Sequence, residues 1–346
     1  MRNKLATVAA AAAVVAGLLV STPAYAASIS AKGSSFANGM LQACTAAYTT
    51  HSVSHTSTGS GTGRSEFAAG NVNFAASDVP YTSGFPTFRY QTIPMFGGPV
   101  AFAYSAVGVG DGLNLTPEVI SGILKGTITR WDDAALKALN PKTKLPKKAI
   151  KVAYRASGSG TNSNLTEYLR QTVGGWTASN NLATGAGGSG VVGTSYPNSQ
   201  DLAKYIEENS NAFGYFDLSD AISADVAIAK LRNAAGAFVL PTASAAGKFL
   251  NAQSLNTSTS DALAGTLVMD FTKNVSGAYQ LSIPVYALAP RFDGVGKSTD
   301  VNKLAVQDFL NYVVKTCVPA RAASLGYVPL GGAVKTSVLN QIKLVG

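Results

Sequence analysis

Arg155-Ala156-Ser157-Gly158-Ser159-Gly160-Thr161 places a cation, three hydroxyls and two glycines in seven residues, after the apolar segment 150–153. Glycines let the backbone approach a ligand and turn its N–H groups inward. Hydroxyls add donors, and a helix expected to begin near Asn162 adds the positive end of its dipole. Arg155 brings a fixed charge and a planar fork of donors. Such a run can hold a small anion, and it is equally the composition of a plain turn.

Other turns repeat the pattern. Gly33-Ser34-Ser35-Phe36 follows a short strand and precedes a helix, and Thr58-Gly59-Ser60-Gly61-Thr62-Gly63 does the same, with Arg64 expected to open the helical run. Asn73-Phe74-Ala75-Ala76-Ser77-Asp78-Val79-Pro80 leads an apolar strand straight into an aspartate. Turns at the carboxyl ends of strands are where open α/β sheets bind ligands. One carboxylate thus joins a set otherwise made of donors. A strand-end cap or a local salt bridge would also account for Asp78, and a surface ion pair for Arg155.

The alternation continues along the chain. Strands are predicted over 28–31, 51–58, 72–76, 95–105, 150–154, 213–215 and 284–289. Helices are predicted over 39–50, 64–69, 117–124, 132–139, 163–172, 199–209, 243–254 and 301–315. This argues for an α/β protein built on parallel or mixed sheets, with a length that suits roughly two domains. Thr116-Pro117-Glu118 reads as a capped helix start, and Asp132 and Asp133 as carboxylates placed favourably at the next one. Trp131 is expected to pack that helix onto its sheet. Residues 177–199, rich in glycine and serine, read as a loose connecting loop.

The first 26 residues combine a basic start at Arg2 and Lys4, an apolar run over 5–20 and Ala24-Tyr25-Ala26 as a small-residue cleavage site. They read as a secretory signal peptide cleaved after Ala26, which implies a secreted, periplasmic or extracellular protein. No later segment approaches a membrane-spanning length. Cys44 lies well beyond the cleavage site, so no lipid-anchor cysteine is expected there.

Removing Arg2 and Lys4 from the net charge of +9 leaves +7, with charged residues at 13% of the chain. That bias is mild, and no compact basic block with interleaved aromatics appears, so nucleic acid is not an expected partner. Residues 142–151 come nearest and read as a solvated loop. Cys44 and Cys317 are the only cysteines. In an oxidising compartment a disulfide between them is expected, with two buried free thiols as the other reading.

The motifs quoted above, with Ile128-Thr129-Arg130-Trp131-Asp132-Asp133, Gly214-Tyr215 and Leu325-Gly326-Tyr327-Val328-Pro329-Leu330, occur in one order along nearly the whole mature chain. In that order the sequence closely resembles the phosphate-binding protein of bacterial phosphate ABC transporters. The resemblance implies an α/β, two-lobed periplasmic-binding-protein fold with two crossings, near 96–103 and 283–288. Lobe I would comprise 27–100 with 286–346, and lobe II 101–285. Phosphate would bind in the cleft, delivered to an ABC permease by a monomeric, non-enzymatic protein that uses no metal or organic cofactor.

By the same resemblance Ser35 and Phe36 donate backbone N–H groups, and Ser35 its hydroxyl as well. Ser60 donates N–H and hydroxyl, Ser159, Gly160 and Thr161 supply helix-start N–H groups and two hydroxyls, and Arg155 supplies its guanidinium. Asp78 accepts the proton that phosphate still carries at neutral pH. Sulfate has no such proton, so it would meet a like charge and an unmet acceptor. Two departures from the family stand out. Ser157 occupies a position where the family commonly has an aspartate paired with the arginine, and Tyr196-Pro197-Asn198-Ser199 replaces a glycine and an acid near the cleft wall.

An enzyme is the first competing reading, with Ser60 or Ser159 as nucleophile. Neither lies in a Gly-x-Ser-x-Gly elbow, and His51 and His55, the only histidines, sit together in one polar stretch without a metal-ligand set. A diffusible scavenger or a structural protein on the same fold, uncoupled from any permease, is the second.

Overall fold

The computed structural model describes residues 26–187, 190–294 and 298–346. The leader predicted over the first 26 residues lies, except for Ala26, outside the described residues. The chain opens with β1 (Ser28–Gly33), α1 (Asn38–Ala47), β2 (Ser52–Ser57), α2 (Ser60–Ala68), β3 (Phe74–Ser77) and the long β4 (Tyr90–Tyr104). It continues through β5 (Asn114–Leu115), α3 (Pro117–Leu124), α4 (Ala134–Leu139), β6 (Lys151–Arg155), α5 (Gly160–Thr172), α6 (Leu182–Gly185), β7 (Thr194–Tyr196), α7 (Ser199–Glu208), β8 (Ala212–Asp217) and α8 (Leu218–Ser223). The last part holds β9 (Ala227–Ile228), β10 (Lys230–Arg232), β11 (Phe238–Val239), α9 (Ala243–Asn251), β12 (Ser254–Leu255), β13 (Leu267–Val268), β14 (Ser282–Pro290), α10 (Val301–Tyr312), α11 (Val318–Arg321) and α12 (Gly332–Ile342).

A mixed sheet runs in the order β2-β1-β3-β14-β4-β8-β6-β7, with β9 added alongside β4. At one end β1 pairs in parallel with β2 and β3; at the other β6 pairs in parallel with β7 and β8. These ends are joined by the antiparallel pair β14 and β4. All fifteen residues of β4 are buried, as are all nine of β14, so this central ribbon is covered on both faces. Residues 90–99 of β4 pair with β14, and from Val100 onward the strand pairs with β8. Two α/β lobes thus share one ribbon, the architecture of a periplasmic binding protein.

Local chemistry explains most element starts. Thr116 caps α3 by accepting the Val119 N–H at 3.4 Å, with Pro117 at the first helical position. Asp133 caps α4 through the Ala135 N–H at 2.9 Å, while Asp132 pairs with Arg130. Trp131 is buried against Tyr104 and Phe213, its indole N–H donating to the Asn211 carbonyl. Cys44 and Cys317 form a buried disulfide that ties α1 to the π-helical turn Val313–Cys317 between α10 and α11.

Several expectations are corrected. α2 begins at Ser60 rather than Arg64, and α5 at Gly160 rather than near Asn162, because Gly59 and Ser159 act as the caps and the glycines lie inside the first turns. β4 starts at Tyr90, five residues before the predicted start at 95. α10 ends at Tyr312, where the backbone shifts to π geometry. Residues 177–199 are not simply a loose loop: they contain α6 and β7, and β7 joins the sheet beside β6 with Thr194 opposite Ala153. The helices α8 and α12 and the short strands β5 and β9 to β13 were not predicted.

Candidate functional site

Four turns at strand ends meet between the two parallel ends of the sheet. Ser34 and Ser35 follow β1, Ser60 follows β2, Asp78 follows β3, and Arg155 closes β6. Strand direction therefore brings together residues more than a hundred positions apart.

Asp78 is 2% exposed. Its Oδ1 accepts a hydrogen bond from the Ser34 hydroxyl, and its Oδ2 accepts one from the Ser60 hydroxyl at 3.2 Å. The Asp78 N–H donates back to Ser60 Oγ at 3.1 Å, and its carbonyl accepts from Asn164 Nδ2 at 3.0 Å. The same Asn164 nitrogen donates to the Gly160 carbonyl at 3.0 Å. Asp78 makes no ion pair among the described residues, so the salt-bridge reading does not describe it. Burial pushes its carboxyl up to about 6, against the opposing pull of Ser34, Arg155, Ser60 and Arg64.

Arg155 is also 2% exposed, and is not a surface ion pair. Nη1 donates to the Ser199 hydroxyl at 3.0 Å and Nη2 to the Pro197 carbonyl at 2.9 Å. Both acceptors are neutral. Nε is buried with no partner. The Arg155 backbone is fixed from behind: its N–H donates to the Tyr215 hydroxyl at 3.3 Å, that hydroxyl donates to Asn162 Oδ1 at 2.5 Å, and Asn162 Nδ2 returns to the Arg155 carbonyl at 2.8 Å. Burial lowers the guanidinium's proton affinity, offset by Tyr215, Asp78, Asp217 and Asp220. A guanidinium nevertheless stays charged, so a buried cation faces a buried acid across these turns.

Helix starts supply the donors. Gly160 and Thr161 open α5, where the first N–H groups have no carbonyl one turn earlier. The Thr161 hydroxyl is buried without a partner. Ser159 caps the helix by accepting the Asn162 N–H at 3.1 Å, and its own N–H is directed to the Asn180 carbonyl at 3.3 Å. Of the donors expected from Ser159, the hydroxyl therefore remains and the amide does not. Ser60 opens α2, and its hydroxyl is engaged with Asp78. Phe36 lies just before α1, its carbonyl accepting the Tyr327 hydroxyl at 2.7 Å.

The glycine turns allow this closeness. The Gly61 N–H donates to the Gly158 carbonyl at 2.7 Å. A Cβ on Gly160 would stand 2.3 Å from Ser60 Oγ and 2.7 Å from Asp78 Oδ2.

Sequence reading missed the second ring of contacts. Ser199 and Gln200, in the first turn of α7, reach Ser35: the two serine hydroxyls lie 3.1 Å apart, and Gln200 Nε2 donates to the Ser35 carbonyl at 3.3 Å. The available signal was Asn198 followed three residues on by Asp201, a helix start; Asn198 indeed caps α7 through the Asp201 N–H at 2.7 Å. Neither histidine reaches the site. His51 faces Asp308, and His55 is buried on β2 with its ring value depressed to about 4 by burial. Among the described residues no group of three or more His, Cys, Asp or Glu is arranged to hold a metal ion.

Comparison with known proteins agrees with this architecture. The family model described as a PBP superfamily domain matches residues 20–316, and the chain belongs to that superfamily. It is 28% identical over 308 residues to the phosphate-binding protein PstS of Xylella fastidiosa, covering 87% of this chain and 81% of that one. It is 32% identical over 210 residues to PstS of Pasteurella multocida, covering 56% of this chain and 57% of that one. Among solved structures, a phosphate-bound high-affinity periplasmic phosphate-binding protein (PfluDING) superposes with a TM-score of 0.72 at 18% identity, covering 90% of this chain and 92% of that one. The phosphate-binding protein of Stenotrophomonas maltophilia gives 0.67 at 17% identity, covering 90% and 93%. These structural likenesses show the two-lobed fold.

Proposed function

We propose that this member of the PBP superfamily is a secreted, non-enzymatic solute-binding protein that captures inorganic phosphate between its lobes for uptake by an ABC permease. Lobe I would comprise 27–100 with 286–346 and lobe II 101–285, with the two crossings in β4 and β14. The observation that carries this reading is the presence of a buried cation, Arg155, and a buried acid, Asp78, at the same group of turns without an ion pair between them. The cation has a buried N–H without a partner, and the acid lies among hydroxyls rather than bases. A site of donors alone would suit any oxyanion, and the carboxylate suits one that still carries a proton.

In this reading the N–H groups of Ser35, Phe36, Ser60, Gly160 and Thr161 and the hydroxyls of Ser35, Ser159 and Thr161 surround the oxygens, and the Ser60 hydroxyl joins them by turning its proton from Asp78 to the anion. The Arg155 guanidinium supplies the countercharge, and Asp78 accepts the P–OH proton. Fully ionised sulfate leaves Asp78 facing a like charge with no proton between them. The relatives named above as phosphate-binding proteins support the same ligand. No helix among the described residues is long and apolar enough to cross a membrane.

Calorimetric titration with phosphate and with sulfate at pH 8 tests the proposal. Saturable one-to-one phosphate binding with sulfate ignored is the expected result. Failure to bind either, with the fold intact, would point instead to a structural role for the fold.

A further inference from the structure

The first turn of α7 touches both halves of the site without belonging to the donor set assigned above. Ser199 Oγ accepts from Arg155 Nη1 at 3.0 Å and lies 3.1 Å from Ser35 Oγ, while the Ser199 N–H donates to Ser35 Oγ at 3.2 Å. One residue on, Gln200 Nε2 donates to the Ser35 carbonyl at 3.3 Å and to Asp220 Oδ2 at 2.6 Å, and Gln200 Oε1 accepts from the Ser57 hydroxyl at 3.0 Å. These contacts bridge the turns after β1 and β2 to α7 and α8. Ser199 is fully buried, as is Ser35 apart from 1%. They also fill a role left open by sequence: Arg155 has no carboxylate partner, and its anchors come from the segment 196–199 that departs from the family.

We propose that Ser199 and Gln200 are positioning residues forming a neutral interlobe latch, in which Arg155 orients Ser199 and Ser199 orients Ser35 as a donor toward the bound anion. The proposal rests on the lobe division and the phosphate reading given above. Either serine hydroxyl can donate to the other, and the proposed relay is the direction that leaves the Ser35 proton free for the anion. Arg155 can only donate, so it takes one lone pair of Ser199 Oγ. In the relay direction the Ser199 proton goes to Ser35 Oγ, whose other lone pair holds the Ser199 N–H. The Ser35 proton is left to point at an anion oxygen, which cannot donate in return. Each donor thereby polarises the next, so the cation's influence reaches Ser35 through a neutral hydroxyl. Gln200 adds no ligand contact; it clamps the Ser35 and Ser57 turns to Asp220, and so bears on how long the lobes stay closed.

Stopped-flow and calorimetric measurement of phosphate binding by the full chain, with Ser199→Ala, Ser199→Thr and Gln200→Ala, tests the latch. Ser199→Ala should weaken binding about tenfold or more, and Ser199→Thr, which keeps the hydroxyl, should recover most of that loss. Gln200→Ala should raise the dissociation rate about tenfold with an unchanged association rate. Wild-type affinity in Ser199→Ala, or equal losses in Ser199→Ala and Ser199→Thr with both folded, would overturn the relay. An unchanged dissociation rate in Gln200→Ala would overturn the clamp. Should the wild type fail to bind phosphate, the functional reading falls on its own, and the latch is judged by amide exchange at Ser35 and Phe36 in the ligand-free protein. Faster exchange in Gln200→Ala supports it and unchanged exchange refutes it.

Discussion

The carbonyl of Gly158 accepts the N–H of Gly61 at 2.7 Å, so the glycine turn that follows β6 lies directly against the one that follows β2. Backbone touches backbone there because Gly61 carries no Cβ. A Cβ on Gly61 would stand 2.9 Å from the Gly158 carbonyl oxygen. The donor sets of α2 and α5 are thereby brought to one point.

Gly160→Ala should separate them. Its Cβ would meet Ser60 Oγ at 2.3 Å and Asp78 Oδ2 at 2.7 Å, groups already fixed by their mutual hydrogen bond. Relief requires opening of the two turns at a cost of about 1–3 kcal/mol. Phosphate affinity is expected to fall by one to two orders of magnitude, read by calorimetry, with far-ultraviolet circular dichroism unchanged.

Arg155→Ala removes the buried cation and leaves the Pro197 carbonyl and Ser199 hydroxyl facing a void. Charge-assisted hydrogen bonds contribute roughly 1.5–3 kcal/mol each, so a loss of several kcal/mol in phosphate binding is expected. Arg155→Lys should recover little, because an ammonium cannot reproduce the fork that reaches Ser199 and Pro197 together. Near-wild-type affinity in Arg155→Lys would show that the fork does not matter.

Asp78 gives a pH dependence of known sign. Its folded value is raised from 3.8 to about 6, so between those limits the folded state holds a proton that the unfolded chain releases. Stability of the ligand-free protein should therefore fall as pH rises through that window and stay flat above it, with an upper limit of about 3 kcal/mol from this group. Burial also raises Asp217 and Asp220, so the measurement is the difference between wild type and Asp78→Asn in denaturant titrations at pH 4.5 and 7.5. The variant's gain relative to wild type should be clearly larger at the higher pH, where the whole window has been crossed.

Selectivity should follow the same titration. Protonated Asp78 donates, and a fully ionised oxyanion then finds a donor in place of a like charge. Discrimination against sulfate is expected to narrow as pH falls below about 6, and Asp78→Asn should show the narrowed value at every pH. A phosphate-to-sulfate ratio that Asp78→Asn leaves untouched at pH 8 would remove this carboxylate from the specificity mechanism.

The disulfide has its own test. Cys44 and Cys317 are separated by 273 residues, and closing a loop of that length stabilises by on the order of 5 kcal/mol in the chain-entropy picture. Replacing both by alanine should lower the midpoint of thermal unfolding by about ten degrees or more, measured by calorimetry, while leaving phosphate affinity intact because neither sulfur approaches the site.

By itself the sequence determined the strand-to-helix turns, since glycine, hydroxyl and proline placement is local chemistry: Thr116 and Asp133 stand where helices begin, while α2 and α5 begin earlier than their glycine-rich first turns indicated. It also determined the α/β class, through apolar runs such as Phe74-Ala75-Ala76 alternating with helical stretches, and it marked Asp78 and Arg155 as unusual charges beside such turns. Tertiary structure alone decided what those turns touch. The engagement of the Ser60 hydroxyl with Asp78 and the grip of Ser199 and Gln200 on Ser35 join turns and helix starts that follow different strands. Their pairing depends on sheet order, which no local pattern encodes. Short edge pairings such as β7 beside β6 were hidden for the same reason: a three-residue polar strand has no period to read, and becomes a strand only when a neighbour supplies its hydrogen bonds.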